Sequence, residues 1–179
     1  MSDKFKHFPN LPELPEYIVQ DALTSEYVIN DYPNVIRAKA HKFESTDFFK
    51  QLISAVGSCN AHYLKFFPNS LYDWHVDRKR QCGINWVIKT NPKASTFFRS
   101  PFDHDFLYHN RVAKNERVLF WNLEEVDYTL LKPTLMNTSV DHCVVNNYPE
   151  ERIILTINCK EGSYQDVNTY LQSLTIESY

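Results

Sequence analysis

The chain has 179 residues, of which 43% are hydrophobic and 15% aromatic, with a formal net charge of −3 at pH 7. That supplies enough apolar mass for a core and excludes a disordered chain, and the mildly acidic balance excludes a broad cationic footprint for nucleic acid or anionic lipid. No apolar run is long enough to span a bilayer, and Cys59, Cys82, Cys143 and Cys159 lack C-x-x-C spacing, so a reducing cytoplasm is expected rather than a disulfide framework or zinc knuckle.

In chain order, residues 1–6 lack the apolar stretch of a secretory leader. Pro9, Pro12, Pro15 and Pro33 break the first forty residues into irregular chain with short elements. Over 45–56, Phe48, Phe49, Leu52, Ile53 and Val56 recur at helical spacing. Ser45 or Thr46 can cap that helix and Gly57 can end it, which leaves an apolar face in need of a flat partner. The chain then reads as short strands between turn signals, at 61–67, 83–90, 96–99, 117–122, 128–132, 142–146 and 152–159. Such a series predicts an antiparallel sandwich or barrel. Val167, Tyr170, Leu171 and Leu174 share a helical face over 164–174, behind Ser163 as a cap. The expected organisation is one domain over 1–179, with irregular and helical support over 1–60, a β core over 61–160 and a C-terminal helix over 161–179.

The segment 152–158 has two distinct faces. Strand alternation puts Ile153, Leu155 and Ile157 on one side, suited to a covering helix. Arg152, Ile154, Thr156 and Asn158 fall on the other, suited to a cavity that receives something polar or anionic.

The chemistry centres on His75-Val76-Asp77. On extended chain, residues two apart point the same way, so an imidazole and a carboxylate can meet one ion. His142, from a distant strand, would complete a 2-His-1-carboxylate set that leaves open positions on octahedral iron(II). The triplet alone is a weak signal. Its context strengthens it, because His142 opens the apolar run Cys143-Val144-Val145 and Arg152 follows ten residues later. A guanidinium facing inward needs an anionic partner, and its planar fork suits a carboxylate; the alternatives are that it reaches solvent or pairs with Glu150 or Glu151. His109 is the rival distal ligand, but it and His104 are expected in a surface loop, and His7, His41 and His62 are expected to be structural. Cys143 should turn away from the metal. Arg78, Lys79 and Arg80 read as a solvated loop, with a basic rim at the site mouth as the alternative. Trp74, Trp86 and Trp121 read as core.

The stretch 67–77, Phe-Pro-Asn-Ser-Leu-Tyr-Asp-Trp-His-Val-Asp, resembles the metal strand of prolyl hydroxylases. Residues 137–146, followed by Glu151-Arg152, resemble the distal histidine and arginine region of aspartyl/asparaginyl β-hydroxylases. Together these matches span 62–158 and liken the chain to the Fe(II)/2-oxoglutarate-dependent oxygenases. The resemblance implies a mainly β fold, a double-stranded β-helix (jelly-roll) with flanking α-helices. It implies His75, Asp77 and His142 as the catalytic iron(II) ligands, 2-oxoglutarate as cosubstrate with its C5 carboxylate on Arg152, and dioxygen as oxidant. The implied reaction hydroxylates an amino-acid side chain of a peptide, protein or free metabolite. Two places depart from the family pattern: Phe66 stands where a cosubstrate-binding tyrosine often precedes the metal strand, and Ile154 where many members carry a hydroxyl. Asn85, Tyr63 and Tyr72 are therefore the candidates for a second cosubstrate contact. Three other readings stay open: a nucleobase-modifying oxygenase, which the acidic balance disfavours, a cupin-like metal enzyme without 2-oxoglutarate, which Arg152 disfavours, and a non-catalytic jelly-roll binding or structural domain.

Overall fold

The alternation in β11 (Arg152–Cys159) organises the fold, seen in a computed structural model that describes residues 4–29, 34–90, 94–101 and 121–176. β11 pairs antiparallel with β4 (Cys59–Phe66) on one side and β6 (Cys82–Lys89) on the other. Outward from β6 lie β9 (Pro133–Met136) and β1 (Phe5–His7); outward from β4 lie β3 (Val35–Lys39) and β2 (Val28–Ile29). A smaller sheet has the order β5 (Ser70–His75), β10 (His142–Asn146), β7 (Ala94–Pro101) and β8 (Trp121–Glu125), again antiparallel throughout. The sheets face each other through Val35, Phe66, Val87 and Ile154 on the large one and Val144 and Tyr72 on the small one.

Helices cover the other face of the large sheet. Ile153, Leu155 and Ile157 are fully buried in one cluster with Ile18 and Ala22 of α1 (Glu16–Thr24), Phe43 of α2 (His41–Glu44), Phe49 and Leu52 of α3 (Asp47–Val56), and Val167 and Leu171 of α4 (Tyr164–Ile176). Each such aliphatic side chain contributes about 1.5–3 kcal/mol of burial. The Thr46 hydroxyl accepts the Phe49 N–H at 3.3 Å to start α3, and Gly57 ends it at φ 87°, where a side chain would be strained. Ser163 and Asp166 cap α4 reciprocally, with hydroxyl and carboxylate each accepting the other's backbone N–H. No helix among the described residues is long and apolar enough to cross a membrane.

The architecture is mainly β, a jelly-roll with flanking helices, as the sequence predicts. Several elements differ. The first sixty residues add strands to the large sheet, β3 joining β4 and β1 joining β9, because the prolines fall between these elements rather than inside them. The helix expected over 45–56 is α3, capped by Thr46 and ended by Gly57, and a short helix not expected from sequence, α2, precedes it. Residues 128–132 form no strand; the chain turns at Leu131, φ 60°, and makes one isolated bridge from Leu130 to Val87. The strand there is β9, opening on Pro133, a position where a missing N–H is tolerated. Of 117–122, only the last two residues are described, at the start of β8.

Leu155 is fully buried between sheet and helices. Leu155→Ala should lower the unfolding free energy by about 2–5 kcal/mol, read from urea denaturation.

Candidate metal centre

In the small sheet, His75 on β5 lies directly opposite His142 on β10. Strict alternation from Tyr72 would turn Trp74, not His75, to Tyr72's side of the sheet. A register shift between His142 and Val144 reverses the phase. As a result the His75 ring sits 4.1 Å from Tyr72 and 4.3 Å from His142, centre to centre. Asp77 lies just past β5, where its backbone N–H donates to the Thr138 carbonyl at 2.9 Å. The loop that leads into β10 thus returns Asp77 to the histidines. The coordinating atoms of His75, Asp77 and His142 all fall within 4.8 Å of one another, with His142 Nε2 3.8 Å from Asp77 Oδ2.

Backbone carbonyls orient both imidazoles. His75 Nδ1 lies 2.5 Å from the Asp73 carbonyl and His142 Nδ1 2.8 Å from the Val140 carbonyl. With Nδ1 as donor, Nε2 keeps its lone pair for an ion. His142 is 3% exposed. Burial, and then the neighbouring His75, push its pKa down to about 4, so it is neutral at pH 7.

Arg80 does not behave as part of a solvated loop. Its Nε donates to Asp77 Oδ2 at 2.7 Å, with Nη2 2.6 Å from the same oxygen. Nη1 donates to Thr156 Oγ1 at 3.2 Å and to Asn158 Oδ1. One guanidinium therefore ties the metal-site carboxylate to the cavity face of β11. The polar residues on that face, Thr156 and Asn158, were the sequence signal for an inward donor.

Arg152 is fully buried, on the cavity side of β11, with its guanidinium carbon 4.9 Å from the Tyr128 ring centre and 5.9 Å from that of Phe66. Nε, Nη1 and Nη2 are shielded from solvent and have no hydrogen-bond partner among the described residues. Burial pushes its pKa below the ordinary value, and the nearby Tyr128 hydroxyl opposes that shift. Glu150 and Glu151 do not serve it: Glu150 pairs with Lys89, and Glu151 with Lys65 and Lys89. Leaving a charge in this state costs several kcal/mol, so the surroundings fit a planar anion. Tyr128, whose hydroxyl donates to Thr96 Oγ1 at 3.2 Å, was missed by the sequence reading, which placed it in a strand.

The three candidate second contacts separate. Asn85 lies opposite Thr156 on the cavity face, buried, with Nδ2 2.7 Å from Met136 Sδ and Oδ1 lacking a partner. Tyr72 borders the cavity beside His75. Tyr63 does not belong to the site. It pairs with Leu155, faces the helices, and donates its hydroxyl to the Asp21 carboxylate at 3.0 Å.

A cleft of about 1010 Å³ reaches His75 and Asp77 from outside. Thr156 and Asn158 line it; Arg152, four residues further along β11, does not. The arginine thus sits about 13 Å beyond Thr156 along the strand. Trp74 borders this cleft, half-buried, with the Arg99 guanidinium 4.5 Å from its ring, whereas Trp86 is core as expected. His62 also lines the cleft; His7 bonds to Thr134 Oγ1 at 2.9 Å and His41 pairs with Glu44 at 3.6 Å. Cys143 is buried and outside the ligand group. His104, His109 and the Trp121 side chain lie outside the described residues.

No protein-family model matches the chain, and no curated protein does. Among solved structures it is similar to HygX from Streptomyces hygroscopicus with nickel and 2-oxoglutarate bound, at TM-score 0.59 and 12% identity over 89% of this chain and 83% of that one. HygX with nickel, 2-oxoglutarate and hygromycin B bound gives 0.56 and 10% over the same shares. Oxalate decarboxylase from Bacillus subtilis gives 0.43 and 13%, over 78% of this chain and 28% of that one. At these identities the likeness to HygX shows the jelly-roll fold.

Two outcomes follow from this geometry. Arg80→Met should weaken divalent-metal binding by about 10–100-fold through loss of the grip on Asp77, measured by competition with a chelating dye. In the metal-free protein, unfolded His142 takes up a proton near its ordinary pKa of 6.5, whereas the folded one waits until about pH 4. The unfolded state therefore binds more protons in that window, and stability should fall as pH drops from 6.5 to 4, by at most about 3 kcal/mol. Urea midpoints across the window should flatten in His142→Asn.

Proposed function

We propose that the protein is an Fe(II)- and 2-oxoglutarate-dependent dioxygenase. The observation that carries the reading is a cluster of three potential metal ligands sharing a jelly-roll interior with a buried guanidinium that no acid among the described residues serves. HygX, similar in fold, holds nickel and 2-oxoglutarate. Here His75 and His142 would each offer Nε2 and Asp77 one carboxylate oxygen to the metal, the donor set of mononuclear iron oxygenases. Bound there with 2-oxoglutarate and dioxygen, iron(II) supplies oxidative C–H hydroxylation, with succinate and carbon dioxide as coproducts.

The chain's own residues do the positioning. The Asp73 and Val140 carbonyls hold the imidazole tautomers, and Arg80 holds Asp77. Arg152 offers its N–H donors to the C5 carboxylate of the cosubstrate, while Phe66 and Tyr128 keep water from the pair. Asn85 and Tyr72 are the remaining candidates for a second contact with it. The substrate reaches the metal through the cleft, and the class implied by the resemblance is an amino-acid side chain in a peptide, protein or free metabolite. HygX holds a small molecule, hygromycin B, which supports a small-molecule substrate. The four free cysteines fit a reducing compartment such as the cytoplasm.

The test is an anaerobic titration with iron(II) and then 2-oxoglutarate, followed by visible absorption. A metal-to-ligand charge-transfer band should appear, vanish in His75→Ala, and need at least about tenfold more 2-oxoglutarate in Arg152→Leu. Circular dichroism checks that both variants fold. Folded wild-type protein that retains no metal and gives no band would end the oxygenase reading in favour of a binding or structural jelly-roll.

A further inference from the structure

The mouth of the cleft gathers positive charge that no ion pair among the described residues neutralises. Arg37 from β3, Arg78 and Lys79 from the loop after β5, and Lys160 just past β11 all line it, and all are exposed. The acids in the same lining are engaged elsewhere: Asp77 with Arg80, and Asp141 with Arg99. Among the described residues none of the four cations makes an ion pair, whereas Lys4, Lys42, Lys50, Lys65, Lys89 and Lys132 each have an acidic partner. In a chain of net charge −3, four exposed cations without an ion pair among the described residues thus surround one concavity. His62, which also lines the cleft, is disfavoured as a cation by burial and then by Arg37, with Lys39 and Lys160 adding less and Glu44 acting the other way. Asn60 and Asn158, bonded to each other at 2.8 Å, add neutral hydrogen-bonding groups beside them.

We propose that this cleft binds a small organic anion, bearing a phosphate or more than one carboxylate, as the substrate presented to the metal centre. The role as substrate rests on the oxygenase reading; the anion site itself does not. Low-dielectric walls around like charges focus the field and draw in the opposite charge. Arginine adds bidentate recognition of oxyanions. The cleft, about 1010 Å³, lies at the upper end of the range of about 300–1,000 Å³ for small-molecule sites. The four lining cations come from three separate segments around one concavity, which favours a small molecule over an extended nucleic-acid chain.

Isothermal titration of the metal-free full-length protein tests this, with pyrophosphate and citrate as separate probes. At low salt at least one should bind saturably, more weakly at high salt. The Arg37→Ser/Lys160→Ser double variant should bind it at least about tenfold more weakly. Both positions are exposed, so the variant should melt with the wild type. Tighter pyrophosphate assigns a phosphate ester, tighter citrate a polycarboxylate, and spermine should give no saturable heat. The proposal is overturned if neither anion saturates, if the double variant binds like wild type, or if only a single-stranded oligonucleotide binds. Because the assay contains no metal, anion binding without the charge-transfer band would remove the oxygenase reading and leave the anion site standing. A band without anion binding would do the reverse.

Discussion

The two faces of β11 impose the constraint on which the rest of the molecule depends. One face must be dry, since Ile153, Leu155 and Ile157 are fully buried against the helices. The other face carries Arg152, Thr156 and Asn158 into the space between the sheets. A slip of one residue against β4 or β6 would exchange these sets, putting a guanidinium into the helix layer and isoleucines into the cavity. Such a slip costs many kcal/mol, so the register of the central strand is strongly specified. That register in turn fixes where Arg80 and Arg152 find their surroundings.

The polar interior has a cost that the helix-covered core offsets. Arg152, with no hydrogen-bond partner among the described residues, is destabilising in this state. The desolvation of His142 adds to this below its ordinary pKa. Against these stand the apolar clusters on both sides of the large sheet. The Asp77–Arg80 pair is the exception within the cavity, since it is already satisfied and also bonded to β11. Asp77 is thus held in place by Arg80, and on the proposed reading the unmet donors of Arg152 are those left for a diffusible anion.

The strands that read clearly from sequence are the ones with buried alternation. Residues 142–146 and 152–159 match β10 and β11 to the residue, because each carries a run of β-branched and apolar side chains bounded by turns. β1, β2 and β9 were missed because two to four residues are too few for a period to show. The helix over 47–56 was legible from its cap and its apolar stripe. At the site, His75, Asp77 and His142 could be named from spacing and order, and the structure brings them together. The irregularity that turns His75 inward left no mark in composition. Arg80 was misjudged because a run of three cations looks solvated until its tertiary partners are known. Tyr63 was misplaced for a simpler reason: opposite Leu155, it falls on the helix face, and an aromatic hydroxyl alone does not reveal which side of a strand it occupies.

Positive charge occurs at two depths of the cleft, at the mouth in Arg37, Arg78, Lys79 and Lys160 and deeper in Arg80, and again outside the cleft in the buried Arg152. A divalent cation placed among these groups meets repulsion that Asp77 alone, already shared with Arg80, offsets only in part. An anion on Arg152 lowers that repulsion, and the metal in turn favours the anion. On the proposed reading, metal and cosubstrate must therefore bind with positive coupling, each raising the affinity of the other by the same factor. The mouth cations act on a different charge. They are exposed and screened by salt, so on the proposed reading their effect falls on capture of the substrate. Arg152, buried outside the cleft, keeps its field at physiological ionic strength and on that reading acts on retention of the cosubstrate. The proposed reading thus separates selection of the substrate from assembly of the reactive centre, although both rely on the same sign of charge.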